Sequence, residues 1–198
     1  MVAAIEQIEY VSIERAIPMR RVFAFPSANT FEIPPIRAFV KTYLMMSKVS
    51  VDPFARNKRW ATYTNDLNPE TAAESHADSA DFLEKLASQN IKADLILFDP
   101  PYSPRQIKEC YDGIGLKMKT EDAWRTNGWS RERKAIGQIC ATGGRVISFG
   151  WHSNGMGRHA GFEPVEYLTV CHGWGHNDTI VTVERKIESS QMSFDPQL

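Results

Sequence analysis

Asp94, Leu95, Ile96, Leu97 and Phe98 form a short run that is almost wholly apolar and leads directly into Asp99-Pro100-Pro101-Tyr102. A near-continuous apolar stretch of strand length suits a central parallel strand covered on both faces. An acid and two prolines therefore stand at the carboxyl end of this strand.

The flanking segments alternate in character. Phe31, Ile36, Phe39, Val40, Tyr43 and Leu44 fall near helical spacing, with Pro34 and Pro35 fitting a first turn, so residues 31–44 are expected to be helical. Residues 49–54 and 60–64 read as strands, the second ending at the turn residues Asn65-Asp66-Leu67-Asn68-Pro69. Residues 75–77 form a short extended piece before Asp78, and residues 79–86 an amphipathic helix with Phe82, Leu83 and Leu86 on one face. Residues 131–140 resume helical character, Gly143-Gly144 are expected to break it, and residues 145–149 give another strand. Strands over 165–170 and 179–185 close the chain. Residues 1–22 read as an N-terminal extension and 189–198 as a frayed tail.

Strands separated by helical segments indicate an α/β domain with a mostly parallel sheet and one antiparallel edge hairpin. A chain of 198 residues suits a single such domain. In open sheets of this kind ligands sit beyond the carboxyl ends of the strands. Asp52, Asp66, Asp78 and Asp99 all fall at or just past expected strand ends and would converge along one rim.

The Asp99-Pro100-Pro101-Tyr102 corner has readable chemistry. Two prolines fix the backbone and remove two amide donors, leaving carbonyl oxygens as acceptors. An amine donating to the Asp99 carboxylate and the Pro100 carbonyl would have its lone pair turned toward an electrophile, while Tyr102 offers a flat face on which a base can stack. That arrangement suits methyl transfer from a sulfonium to an aromatic amine, a reaction accelerated largely by positioning. It needs neither a metal nor a covalent nucleophile. Cys171, His172 and His176 have no complementary ligand pair at zinc-like spacing, so no metal is expected.

Placed after an apolar strand, this tetrapeptide resembles the catalytic motif of the S-adenosylmethionine-dependent amino-methyltransferases of DNA, in particular the small phage and bacterial adenine-specific enzymes, which serve restriction protection, host mimicry or regulation. Val51-Asp52-Pro53-Phe54-Ala55 is similar to that family's first cofactor motif, which normally continues with glycines where Arg56 and Asn57 stand here. The resemblance extends over residues 25–185 and implies a Rossmann-like class I methyltransferase fold with a seven-stranded sheet. It implies catalytic roles for Asp99, Pro100, Pro101 and Tyr102, and S-adenosylmethionine as cofactor. By the same resemblance Asp52 faces the cofactor's methionine amino group, Asp66 binds the ribose hydroxyls, Leu67 lies against adenine, and Asp78 accepts from the adenine amino group near Ser79. Pro53, Phe54, Ala55, Arg56 and Asn57 form the cofactor loop, and Thr30 and Phe31 close over the methionine end. The expected product is N6-methyladenine in DNA.

The net charge of −1 is not that of a strongly basic nucleic-acid binder, so affinity for DNA must come from local patches. Arg15, Arg20 and Arg21 make one cluster, and Arg56, Lys58 and Arg59 another. Residues 103–134 are expected to carry a target-contact loop with a helical piece, in which Ser103, Arg105, Lys108, Arg125, Arg131, Arg133 and Lys134 grip the nucleic acid. Trp124 and Trp129 either stack on bases or anchor that loop to the core. Residues 151–158 form either a glycine-rich turn or part of a base pocket. A paired base would have to be extruded before reaction. No target-recognition domain is visible, so either this loop reads a short site, a second copy of the chain contributes as a homodimer, or recognition is permissive. RNA is the alternative polymer, and a non-catalytic nucleic-acid-binding subunit is the alternative to an enzyme. Cys110, Cys140 and Cys171 lack paired spacing, and no secretory or membrane-spanning stretch is seen, so a reducing cytoplasm without membrane contact is expected.

Overall fold

The computed structural model describes residues 16–119, 128–173 and 175–188. Arg15, Trp124, Arg125 and the expected tail at 189–198 lie outside the described residues. Seven strands form one sheet: β1 (Met19–Phe23), β2 (Ser50–Asp52), β3 (Tyr63–Thr64), β4 (Ala93–Phe98), β5 (Cys140–Gly150), β6 (Phe162–Cys171) and β7 (Thr179–Lys186), in the order β1-β6-β7-β5-β4-β2-β3. Only β7 runs antiparallel to its neighbours, pairing with β5 on one side and β6 on the other, while all other pairs are parallel. This is the mostly parallel α/β sheet and closing hairpin that the sequence predicts.

The central apolar run is explained by alternation into two cores. Ile96 and Phe98 pack with Leu83 and Ile136 on one face of the sheet, whereas Leu95 and Leu97 pack with Phe39 and Val40 on the other. Successive strand residues point to opposite faces, so a strand buried on both sides must be apolar at every position. The helices that cover it are α1 (Pro34–Met46) on one face and α2 (Ser79–Ser88) with α4 (Ser130–Ile139) on the other; α3 (Pro104–Asp112) follows the Pro100-Pro101 corner.

Local chemistry sets the boundaries. α1 begins at Pro34 rather than at residue 31, because Ile33 is held extended (ψ 116°) before the proline and Thr30–Glu32 form a separate 3-10 turn. β2 stops at Asp52 because Pro53 has no amide to continue the ladder. The strand expected at 60–64 is reduced to two residues. The extended piece at 75–77 contributes a single parallel bridge, Asn65 to Ser75.

Two expectations are corrected. Gly143-Gly144 do not end a helix but lie inside β5, which begins at Cys140. The register against β4 slips there, from Ala93–Cys140 to Leu95–Arg145, with Gly143 at φ 78°. Glycine tolerates this left-handed conformation, and such a bulge bends the strand. Residues 19–22, read as part of an extension, belong to β1, which pairs with β6 beyond the closing hairpin. Among the described residues no helix is long and apolar enough to cross a membrane.

Candidate active site

The carboxyl ends of β2, β3, β4 and β5 open on one rim, and the four expected acids stand along it. Asp52 ends β2 with no surface exposed. Its Oδ1 accepts from the Phe54 amide at 3.0 Å, and its Oδ2 is buried with no hydrogen-bond partner among the described residues. Burial pushes its carboxyl well above the usual range, and the nearby Asp99 and Asp66 push the same way. Asp52 Oδ2 is therefore an acceptor left for a donor to satisfy.

Asp66 organises the loop beyond β3: Oδ2 accepts from the Arg56 amide at 3.0 Å and Oδ1 from the Asn68 amide at 2.9 Å. Asp78 caps α2, accepting from the Ala80 amide at 2.9 Å. Ser79 donates to the buried Glu132 of α4 at 3.0 Å, joining the two helices. Asn65, which the sequence marks only as a turn residue, ties the rim together. Its amide donates to the Pro53 and Ala77 carbonyls at 3.2 and 3.0 Å, and its oxygen accepts from the Ala77 amide at 3.0 Å.

At the end of β4 the Tyr102 hydroxyl donates to Asp99 Oδ1, and the Thr30 hydroxyl lies 3.5 Å from the same Tyr102 oxygen. Burial pushes the Asp99 carboxyl upward, opposed by the hydrogen bonds from Tyr102 and Thr30 and by the charge of Arg56. Tyr102 stands edge-on to Trp151, with ring centroids 5.7 Å apart and planes at 70°. Gln106 of α3 accepts from the Tyr102 amide and so holds the corner from behind.

Asp99-Pro100-Pro101-Tyr102 forms a wall between two hollows. On one side three adjoining cavities of about 90, 350 and 290 Å3 make a cleft, with Phe54 lining all three. The first holds Asp66, Leu67, Asp78 and Ser79. The second holds Asp99, Tyr102, Thr30 and Arg56, and the third holds Phe31, Ala55, Arg56, Asn57 and Asp99. Most of the expected cofactor residues thus share one cleft. Phe31 serves chiefly as core, stacked on Trp60 at 5.8 Å and against Phe149 at 5.2 Å. Asn57 Oδ1 accepts from the Ala72 amide at 3.0 Å.

Across the wall a cavity of about 220 Å3 is lined by Pro100, Tyr102, Trp129, Arg133, Ser148 and Trp151, among others. Arg133 Nε and Ser148 Oγ are buried there without hydrogen-bond partners among the described residues. Trp151, His152, Asn154 and Gly155 line its edge, and the segment is held by Glu184 of β7, whose carboxylate accepts from the Met156 and Gly157 amides. A side chain at position 155 would collide with that carboxylate, which is why glycine stands there.

The expected nucleic-acid grip is dispersed. Ser103 caps α3, its hydroxyl accepting from the Gln106 amide at 3.3 Å, so its oxygen is committed to the helix. Arg131 forks between Asp81 at 2.9 Å and Glu84 at 2.7 Å on α2. Arg133 is turned inward to the cavity, where burial opposes its charge and Glu184 supports it. Arg105 and Lys108 form exposed pairs with Glu109 and Asp112 one helical turn on. Such pairs are weak and leave their cations available to phosphate. Lys134 is exposed. Trp129 is buried, edge-on to Phe54 at 5.7 Å and to Phe98 at 6.5 Å, so the ring packs into the core. His172 is occupied at both ring nitrogens, 2.8 Å from the Ala24 carbonyl and 2.8 Å from the Thr179 hydroxyl.

No protein-family model matches the sequence, and no curated protein matches it. Solved structures do match in fold. NSun6 from Pyrococcus horikoshii with SFG superposes with a TM-score of 0.51 at 13% identity, over 77% of this chain and 52% of that one. SMU.776 complexed with SAH gives 0.50 at 10% identity, over 75% of this chain and 49% of that one. The chain thus spans about half the length of each. Its fold is that of the Rossmann-like class I methyltransferases.

Proposed function

We propose that this chain is an S-adenosylmethionine-dependent methyltransferase that methylates the N6 amino group of adenine in DNA. The observation that carries the reading is the position of Asp99: an acceptor in a rigid proline corner, on the wall between an acid-lined cleft and an aromatic cavity. The buried, unpartnered Asp52 Oδ2 and the acidic cleft fit a cofactor bearing positive charge. Asp52, Asp66, Leu67, Asp78 and Ser79, with Pro53, Phe54, Ala55, Arg56, Asn57, Thr30 and Phe31, are the residues assigned to it.

When bound, the cofactor supplies a sulfonium methyl group as electrophile. The chain's own residues do the rest. Asp99 and the Pro100 carbonyl accept the two N–H bonds of the amine and turn its lone pair toward the cleft. As the amine lone pair took the methyl group and the methyl–sulfur bond broke to leave a neutral thioether, positive charge would grow on nitrogen, and an ionised Asp99 beside it would stabilise that charge. A carboxylate with a raised proton affinity is also the nearer match for the proton that must leave. Tyr102 and Trp151 flank the base from the cavity side.

The direct test is transfer of a labelled methyl group to duplex DNA, single-stranded DNA and RNA by the purified protein. Incorporation into DNA at adenine supports the reading. Incorporation confined to RNA would replace the polymer, and none into any polymer despite cofactor binding would overturn the enzymatic assignment.

A further inference from the structure

Arg56 stands where a left-handed backbone is required, at φ 49°, and a residue with a side chain is rarely placed there without cause. Its amide is consumed by Asp66 at 3.0 Å. Its side chain crosses the cleft instead: Nη1 donates to the Ala28 carbonyl at 2.8 Å and to the Asn29 side chain. The guanidinium has five donors in a planar fork. Among the described residues only Nη1 makes side-chain hydrogen bonds, so Nε and Nη2 remain for a ligand. Arg56 lines both larger cavities of the cleft, whose walls otherwise carry Asp66, Asp99, Glu109 and Glu32. The other cation on those walls, Lys58, is already paired with Glu32 at 2.8 Å.

Resting on the cofactor assigned above, we propose that the Arg56 guanidinium binds the carboxylate of the cofactor's methionine end and, through Ala28 and Asn29, latches residues 28–29 over it. The cofactor carries one carboxylate among positive groups. Carboxylates along the rim suit the positive groups and repel that carboxylate, to which Arg56 offers a fork of donors. A guanidinium meets a carboxylate with two parallel charge-assisted hydrogen bonds, stronger than neutral ones. A loop that gives its own amide to Asp66 thereby replaces backbone donors with a side chain.

The test is calorimetric titration of the full chain with S-adenosylhomocysteine and with 5′-methylthioadenosine, which keeps the nucleoside and thioether but lacks the amino acid. Arg56→Gln should lower affinity for the first by roughly 10–100-fold, the range expected for a charged hydrogen-bonded pair, and leave the second within about twofold. Arg56→Gly, which relaxes the backbone and removes the fork, should behave as Arg56→Gln does. Amide hydrogen exchange over residues 27–31 should slow on S-adenosylhomocysteine binding in the wild type and not in either variant. Equal losses for both ligands, or none for either, overturn the carboxylate assignment while the cofactor reading stands. Failure of the wild type to bind either ligand overturns both.

Discussion

The Tyr102 hydroxyl donates a hydrogen bond to the Asp99 carboxylate three residues before it. It occupies the acceptor assigned to the substrate amine, so the aromatic ring and the hydroxyl have opposing effects. Tyr102→Phe should retain turnover, because it frees Asp99 and keeps the ring. Tyr102→Ala should raise KM on the order of 10-fold or more, in line with loss of one base-stacking contact. Steady-state kinetics with an oligonucleotide separates them, and equal losses in both variants would contradict this division of labour.

Acid inactivation follows from Asp99. Its folded-state pKa is raised by burial, so it is ionised and able to accept only above that raised value. As pH falls through it, kcat/KM should fall, at a pH higher than the ~3.9 of an ordinary aspartate. A pH–rate profile, with near-ultraviolet circular dichroism to follow folding, checks this. A rate unchanged down to the ordinary carboxylate range would refute it.

Much of this arrangement was legible in the sequence, for physical reasons. The run from Asp94 to Phe98 could be read because both faces of β4 are covered, and Asp99 could be read because the strand ends on it. β1 could not: Met19 is 71% and Phe23 62% exposed, so no burial period marks a strand that joins the sheet through backbone pairing to β6. Arg131 and Arg133 look alike in sequence, yet two residues apart on α4 they face different ways, one to the acids of α2 and the other into a cavity. Glu184 gave no signal, because its partners Met156 and Gly157 lie on a distant loop.

Asp52 sets stability against function. A carboxyl whose folded pKa is raised binds a proton more tightly in the folded chain than in the unfolded one. Stability is therefore gained as pH falls from the raised value toward the unfolded value of ~3.9, and the penalty is fully present above the raised value. At neutral pH Asp52→Asn should raise Tm, by about 2–4 °C for each kcal/mol recovered in a chain of this size. It should also weaken S-adenosylhomocysteine binding, since Oδ2, the buried acceptor without a partner among the described residues, is replaced by an amide donor. Scanning calorimetry and titration read both effects, and a lower Tm with unchanged affinity would contradict the assignment.

The central claim is that the Asp99 corner presents an adenine amine to a methyl donor held on the far side of its wall. Nucleoside mass spectrometry of DNA incubated with the protein and S-adenosylmethionine tests it most directly. The wild type should yield N6-methyladenine. Asp99→Ala should lower the yield on the order of 10²–10³-fold or more while binding S-adenosylhomocysteine within about threefold of the wild type. Undiminished N6-methyladenine from Asp99→Ala would contradict the account.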